Sequence, residues 1–183
     1  HSHLDTAWHW TLDETIRKTE QIIAKLKHSK QGLLHRAIGI GIDDNGELRD
    51  PERHPEQFKD SALGRIPKGW SQAVLGDLVD PVRPIAYGIL MPGTGHQGGV
   101  PVVKVKDIKN GRIELGDLLR TSPAIDHEYR RSRLRPGDLL FTIRGTVGRM
   151  AVVPPELDQA NITQDTARIA LVRGDSRFIR AFL

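Results

Sequence analysis

The stretch 137–154, GDLLFTIRGTVGRMAVVP, decides the fold class of this chain. Two short runs rich in apolar and β-branched residues, LLFTI and MAVVP, flank the polar segment RGTVGR at 144–149. Runs of this kind, bounded by Gly and Pro, are typical of β-strands, and Gly145 and Gly148 permit a tight connection between them. The stretch therefore predicts a β-hairpin whose tip carries two arginines and a threonine.

Similar runs occur on both sides of this hairpin, GVPVVKVKDI at 99–108 and ARIALV at 167–172. Short helices are expected at 73–79, at 126–131 and from Phe178 onward. The residues from 66 to 183 thus predict an α+β domain with a mixed, largely antiparallel, β-rich sheet structure. Because the chain ends in what reads as the first turn of another amphipathic helix, we expect this domain to be incomplete on its C-terminal side.

The leading part of the chain has a helical pattern instead. Between residues 12 and 38 apolar residues recur three and four apart among Glu and Lys, which predicts a long, coiled-coil-type spacer helix of roughly 40 Å. Its expected helix-packing residues are Leu12, Ile16, Ile23, Leu26 and Leu33. An apolar stripe of this width needs a partner helix, from a second copy or from another part of the same protein.

Residues 1–11 carry no recognisable pattern and stay an unassigned leader. Residues 39–65 contain many turn and breaker residues and predict a linker. Within it, Asp43, Asp44, Asn45 and Gly46 form a run that we interpret as a tight turn, because a calcium loop needs alternating acids and a distant Glu that are missing here.

Positive charge is concentrated in the second part of the chain. Lys and Arg number 10 against 11 Asp and Glu up to Arg65, and 17 against 12 after it. A basic globular part behind a neutral leading segment favours a polyanion partner for the former and a protein partner for the latter.

Several classes of function lack their characteristic residues. There is no cysteine, which excludes disulfides, thiolate metal sites and thiol nucleophiles. The sequence has no membrane span and no signal peptide pattern, so we expect a cytoplasmic location. The segment 93–98 matches GxGxxG, but a strand pattern follows it where dinucleotide binding requires a helix, so we interpret it as a flexible loop. We expect no catalytic residues, no cofactor and no metal.

One enzymatic alternative stays open. Asp107 and Lys109 close a strand pattern and Asp80 lies upstream, which resembles the acid and DxK layout of metal-dependent restriction nucleases. Two carboxylates and a lysine could hold Mg²⁺ and polarise a phosphate.

Basic and amide side chains near strand ends suggest contact with DNA. Arg131 and Arg133 lie in a dense basic run that is suited to phosphates. The hairpin tip and the segment NITQDTAR at 161–168 offer side chains that can pair with base edges. The expected base-reading residues are Arg144, Thr146, Arg149, Asn161, Gln164 and Arg168.

Longer stretches of the chain resemble a known family. LDETIRKTEQIIAKLKHSKQGLLHRAI at 12–38 and the following residues as far as the IPKGW element at 66–70 look like the central conserved region of type I restriction-modification specificity subunits. RSRLRPGDLLFTIRGTVGRMAVVP at 131–154 and NITQDTARIALV at 161–172 resemble the body of their target recognition domain. The likeness covers about residues 11–183.

The resemblance implies a DNA-binding role in a restriction system. Members of this family carry two target recognition domains that each read one half of an interrupted double-stranded DNA site, held apart by paired antiparallel helices. Methyltransferase (modification) subunits and restriction subunits assemble around them and carry the catalysis of DNA modification and cleavage. A non-DNA coiled-coil interaction module is the remaining alternative, in which the spacer helix dimerises and the basic domain is incidental.

Overall fold

The computed structural model describes residues 17–26, 28–30, 32–33, 36–37 and 39–183. The chain divides into two compact units, His1–Gln72 and Ala73–Leu183. The boundary expected from the sequence, after Arg65, falls a few residues before this division.

In the first unit, the described residues between 17 and 40 are helical. Three of the expected packing residues lie on this segment with large exposed fractions, 46% for Ile23, 64% for Leu26 and 57% for Leu33. Leu12 and Ile16 lie outside the described residues. One continuous spacer helix over 12–38 therefore stays a prediction.

The helical segment ends at Gly41 and leads into a tight turn. Gly41 has φ +77°, and its N–H donates to the carbonyl of Ala37 at 3.0 Å, a common way to end a helix. Asp43 Oδ1 then accepts the backbone N–H groups of Glu47 and Asn45 at 2.8 and 2.9 Å. These bonds lower the pKa of Asp43, and the bond from Glu47 has the largest effect. The tight turn predicted from the sequence is confirmed.

The predicted linker also contains a β-hairpin. Strands β1 (Phe58–Ser61) and β2 (Gly64–Pro67) pair antiparallel and bury Phe58 and Ile66. The sequence prediction of a linker over 39–65 is corrected here. The FKDS strand was missed because two of its four residues are charged and it is too short to show an alternating pattern.

Residues 73–183, all of them described, form three sheets. Their strands are β3 (Ala86–Tyr87), β4 (Val100–Val103), β5 (Ile108–Lys109), β6 (Arg112–Ile113), β7 (Leu119–Thr121), β8 (Leu139–Thr142), β9 (Met150–Val152), β10 (Asn161–Ile162) and β11 (Thr166–Ile169). The largest sheet is antiparallel in the order β3-β11-β8-β9. A second sheet, β10-β4-β7, contains a parallel pair, β10–β4, and β5–β6 is a separate antiparallel hairpin. The predicted mixed, largely antiparallel architecture is confirmed.

The short helices of this unit are α1 (Leu75–Leu78), α2 (Pro123–Glu128) and α3 (Ser176–Phe182). Helix α2 begins earlier than the predicted 126–131 because Ser122 caps it, accepting the N–H of Ile125, and Pro123 fits its first turn. The chain then tightens into a 3₁₀ turn at Arg130–Ser132. Among the described residues, no helix combines the length and the apolar character that crossing a bilayer requires.

The core of this unit lies on both faces of the four-stranded sheet. Along β8, Leu139 belongs to a cluster that includes Ile179 of α3, whereas its neighbour Leu140 belongs to a larger cluster with Val103 and Ile162. This alternation is what a strand buried on both sides requires.

Candidate nucleic-acid interface

The hairpin predicted from 137–154 is confirmed by the pairing of β8 with β9. Its connection, residues 143–149, is held by the buried hydroxyl of Thr142, which donates to the carbonyl of Thr146 at 2.5 Å and accepts the N–H of Arg149 at 2.9 Å. Gly145 and Gly148 have φ +69° and +86°, a region that favours glycine. Hydrogen bonds within the hairpin therefore hold the backbone of the tip, while residues 143–148 are exposed.

A second loop lies directly beside this tip. The carbonyl of Asp165 accepts the backbone N–H groups of Ile143 at 2.8 Å and Arg144 at 3.3 Å. Gln164 is itself fixed through its N–H, which donates to the carbonyl of Ile89 at 3.0 Å. Residues 143–149 and 163–165 therefore form one surface, which we call the loop edge.

The loop edge brings together three of the residues predicted to read bases. Arg144 and Thr146 are exposed and Gln164 is half-buried. Arg149 is also half-buried, but its guanidinium Nη1 donates to the carbonyls of Ile108 at 3.1 Å and Val105 at 3.4 Å. Within the described residues, the side chains of Arg144, Thr146 and Gln164 make no hydrogen bond, whereas Arg149 is partly engaged inside the domain.

Asn161 belongs to a buried polar network instead. The side chain is 0% exposed, accepts the hydroxyl of Ser132 at 2.8 Å, and donates to Asp126 at 2.9 Å and to the carbonyl of Tyr129 at 3.2 Å. Arg133 closes the network with two bonds to Asp126, at 2.9 and 2.5 Å. These contacts join β10 to α2 and to the turn that follows it, and Asn161 has no free group for a base.

Arg168 is likewise inside the domain, with 1% of its surface exposed. Its Nη2 donates to the carbonyls of Pro84 at 2.9 Å and Arg131 at 3.0 Å, and its Nη1 to that of Arg83 at 3.5 Å. Burial, and then the nearby Arg83 cation, lower the pKa of Arg168. The burial of Arg168 and Asn161 revises their sequence-based assignment, because neither side chain is placed to reach a base edge.

The residues of the nuclease alternative have local partners. Asp107 is 5% exposed, and its carboxylate accepts the N–H of Lys104 at 2.9 Å, which caps the 3₁₀ turn before β5. Lys109 pairs with Glu114 at 2.7 Å, and Asp80 accepts a backbone N–H two residues along the chain. Over the described residues no group of three His, Asp or Glu lies close enough to share a metal ion. This arrangement does not favour a nuclease.

Comparison with known proteins finds relatives of this chain. The chain is 32% identical over 162 residues to the type I restriction enzyme EcoBI specificity subunit of Escherichia coli, a match that covers 87% of the chain and 33% of that subunit. The chain is a relative of the type I specificity subunits. A putative type I restriction enzyme MjaX specificity subunit from Methanocaldococcus jannaschii is 25% identical over 87 residues, covering 48% of the chain and 20% of that protein. No protein-family model matches the chain.

Solved structures of type I systems share the fold. The HsdS subunit from Thermoanaerobacter tengcongensis superimposes with a TM-score of 0.55 at 18% identity, over 96% of the chain and 38% of that subunit. A chain from a structure on complex assembly and conformational transition of the type I R-M system gives a TM-score of 0.50 at 18% identity, over 92% and 37%. The chain spans about a third of the length of the specificity subunits that it matches.

Proposed function

We propose that this chain is a DNA-reading part of a type I specificity subunit, which reads one half of a bipartite DNA site and docks the methyltransferase subunit. The observation that carries the proposal is the relationship to the EcoBI specificity subunit over 87% of the chain. The loop edge supports it, because two loops that are tied together by backbone bonds carry the exposed Arg144 and Thr146 and the half-buried Gln164.

We assign base reading to these three side chains. Arg can donate two hydrogen bonds to guanine, and Gln can pair in two places with adenine, in the major groove of DNA. A β-hairpin is narrow enough to enter that groove. Loss of one such contact is expected to reduce discrimination by about 1 to 3 kcal/mol at a single base pair.

Arg131 has a different task in this proposal. Its side chain is exposed, and no described residue forms an ion pair with it, so its charge is available to a phosphate. Arg133 is less suited to this task because Asp126 already neutralises it. A phosphate contact positions the protein equally on all sequences and makes binding depend on salt.

The described residues between 17 and 40, which are helical, supply the proposed spacer. Ile23, Leu26 and Leu33 are largely exposed, and apolar side chains at this spacing are stabilised by a second helix. We propose that Leu12 and Ile16 extend the same stripe, and that the partner helix is antiparallel and comes from the rest of the subunit or from a second copy.

Catalysis belongs to the modification and restriction subunits in the cytoplasmic complex.

Methylation by the complex assembled with a modification subunit tests base reading. With a panel of single-base variants of the DNA site, Arg144→Ala and Gln164→Ala should each lose discrimination at one base pair, whereas Arg131→Ala should weaken all variants alike. Arg173→Ala is the control, because this exposed arginine lies on neither the loop edge nor the 130–135 turn. If Arg144→Ala and Gln164→Ala weaken every variant equally, or none, the assignment to the loop edge is wrong.

A gel shift with random duplex DNA separates this function from a plain interaction module. The logarithm of the affinity should fall linearly with the logarithm of the salt concentration, because several phosphates are neutralised. The coiled-coil module predicts no duplex binding with or without the modification subunit. Mg²⁺-dependent cleavage by the chain that is lost in Asp107→Asn would instead support the nuclease.

A further inference from the structure

A cavity of about 360 Å³ opens beside β3, between the segment before that strand and the turn after α2. Six arginines line it: Arg83, Arg130, Arg131, Arg133, Arg135 and Arg168. We call it the arginine pocket. Its volume lies in the range of sites that bind small ligands.

Few of these cations are neutralised by the protein itself. Arg83 makes two bonds to the carboxylate of Asp138, at 2.9 and 2.6 Å, and Arg133 is paired with Asp126. Among the described residues, the other four arginines have no carboxylate within ion-pair distance. Like charges gathered around one cavity repel one another, so an anion that enters it relieves this repulsion.

Arg168 gives the pocket a buried cation. Its two terminal nitrogens are held by carbonyls, but its Nε–H has no hydrogen-bond partner among the described residues. A buried donor without a partner is unfavourable, so the domain leaves part of the hydrogen-bonding capacity of this cation unused. Burial, and then the neighbouring Arg83, lower the pKa of Arg168, while the carboxylates of Asp138 and Asp80 act in the opposite direction.

We propose that the arginine pocket binds a phosphate oxyanion. Guanidinium groups match the geometry of phosphate oxygens and can donate two parallel hydrogen bonds to them. The oxyanion can be a phosphodiester of the DNA backbone, which rests on the proposed function, or the phosphate of a small ligand. In both cases Arg83 and Arg168 form the fixed wall, and Arg130, Arg131 and Arg135 close on the ligand from the exposed side.

Titration of the full chain with inorganic phosphate, at constant ionic strength in NaCl, tests the pocket directly. Arg168→Gln removes three contacts to carbonyls and is expected to impair folding, so the test uses the exposed pair Arg131→Gln/Arg135→Gln. This variant should bind phosphate about tenfold more weakly than the unmodified chain. The matched control Arg112→Gln/Arg173→Gln removes the same charge from exposed positions outside the pocket and should bind as the unmodified chain does.

Duplex binding by the same variants identifies the source of the phosphate. If a DNA phosphate occupies the pocket, the salt slope should fall by about one in the pocket variant and stay unchanged in the control. Loss of phosphate binding with an unchanged slope, or with no duplex binding at all, supports a small phosphate ligand, and the second result also contradicts the proposed function. The proposal is wrong if the unmodified chain shows no saturable phosphate binding, or if both double variants bind phosphate equally weakly.

Discussion

The loop edge and the buried polar network of this domain contain guanidinium and amide side chains in opposite environments. Arg144 and Gln164 lie on loops whose backbones are fixed by other atoms, so their side chains have no task in folding. Asn161 and Arg168 are enclosed, and each is bonded to chain segments that lie far away in sequence. In this domain, a buried polar side chain stabilises the fold. A polar side chain on a loop whose backbone groups are already hydrogen-bonded is available for recognition.

Replacement of Arg168 should give the largest effect on this comparison. Arg168→Met removes a cation that donates to three carbonyls and leaves those carbonyls unpaired, so the free energy of unfolding should fall by about 3 kcal/mol or more. Urea denaturation measures it. Arg144→Ala is the matched control on the loop edge and should change stability by less than about 0.5 kcal/mol. Equal losses in the two variants would abolish the distinction between the regions.

Asn161→Ala should have the next largest effect. The substitution removes the amide that donates to Asp126 and to the carbonyl of Tyr129 and that accepts the hydroxyl of Ser132, so we expect a loss of about 2 to 3 kcal/mol. Gln164→Ala, whose side chain makes no hydrogen bond to the described residues, should be nearly neutral in the same denaturation experiment. A neutral Asn161→Ala would show that the network does not hold β10 in place.

Thr142→Val tests the link between the two regions. It keeps the shape of the buried side chain but removes its bonds to Thr146 and Arg149, which should reduce stability by about 1 to 2 kcal/mol. Because the tip then loses its internal support, methylation of the site panel should become less discriminating although Arg144 is intact. If discrimination between site variants is unchanged while stability falls, an ordered hairpin tip is not required for base reading.

The smallest effect is expected at Asp175, which caps α3 and pairs with Arg177 on the surface. The bonds from Arg177 lower the pKa of Asp175 from 3.8 to about 2. Because the pKa is lower in the folded than in the unfolded state, the ionised carboxylate stabilises the fold at pH values above its unfolded-state pKa. This contribution is lost as the pH falls toward 2. Asp175→Asn should thus be slightly less stable than the unmodified chain at pH 6 and equally stable near pH 2. A difference that grows on acidification would contradict this account.

The strands of the second unit could be predicted because their signal is local. Short runs of apolar and β-branched residues mark β8, β9 and β11, and RGTVGR identifies the hairpin tip. The burial of Asn161 and Arg168 could not be predicted, because their partners lie 29 to 35 and 37 to 85 residues away in sequence. Such pairing depends on which strands meet.

Arg83 was missed for a related reason. It stands alone between two prolines in DPVRP and belongs to no basic cluster in the sequence. Its importance appears once Asp138, 55 residues away, accepts two of its hydrogen bonds. The prolines on either side were the available signal, since they stiffen a segment that presents a side chain in one direction.

The bonds from Ile143 and Arg144 to the carbonyl of Asp165 join the two loops through main-chain atoms alone. Such a join does not depend on which side chains the loops carry. Positions 144, 146 and 164 can therefore be randomised together while the scaffold persists. Under the proposed base-reading role, the loop edge is therefore a small combinatorial library site for selecting new target sequences without redesign of the domain.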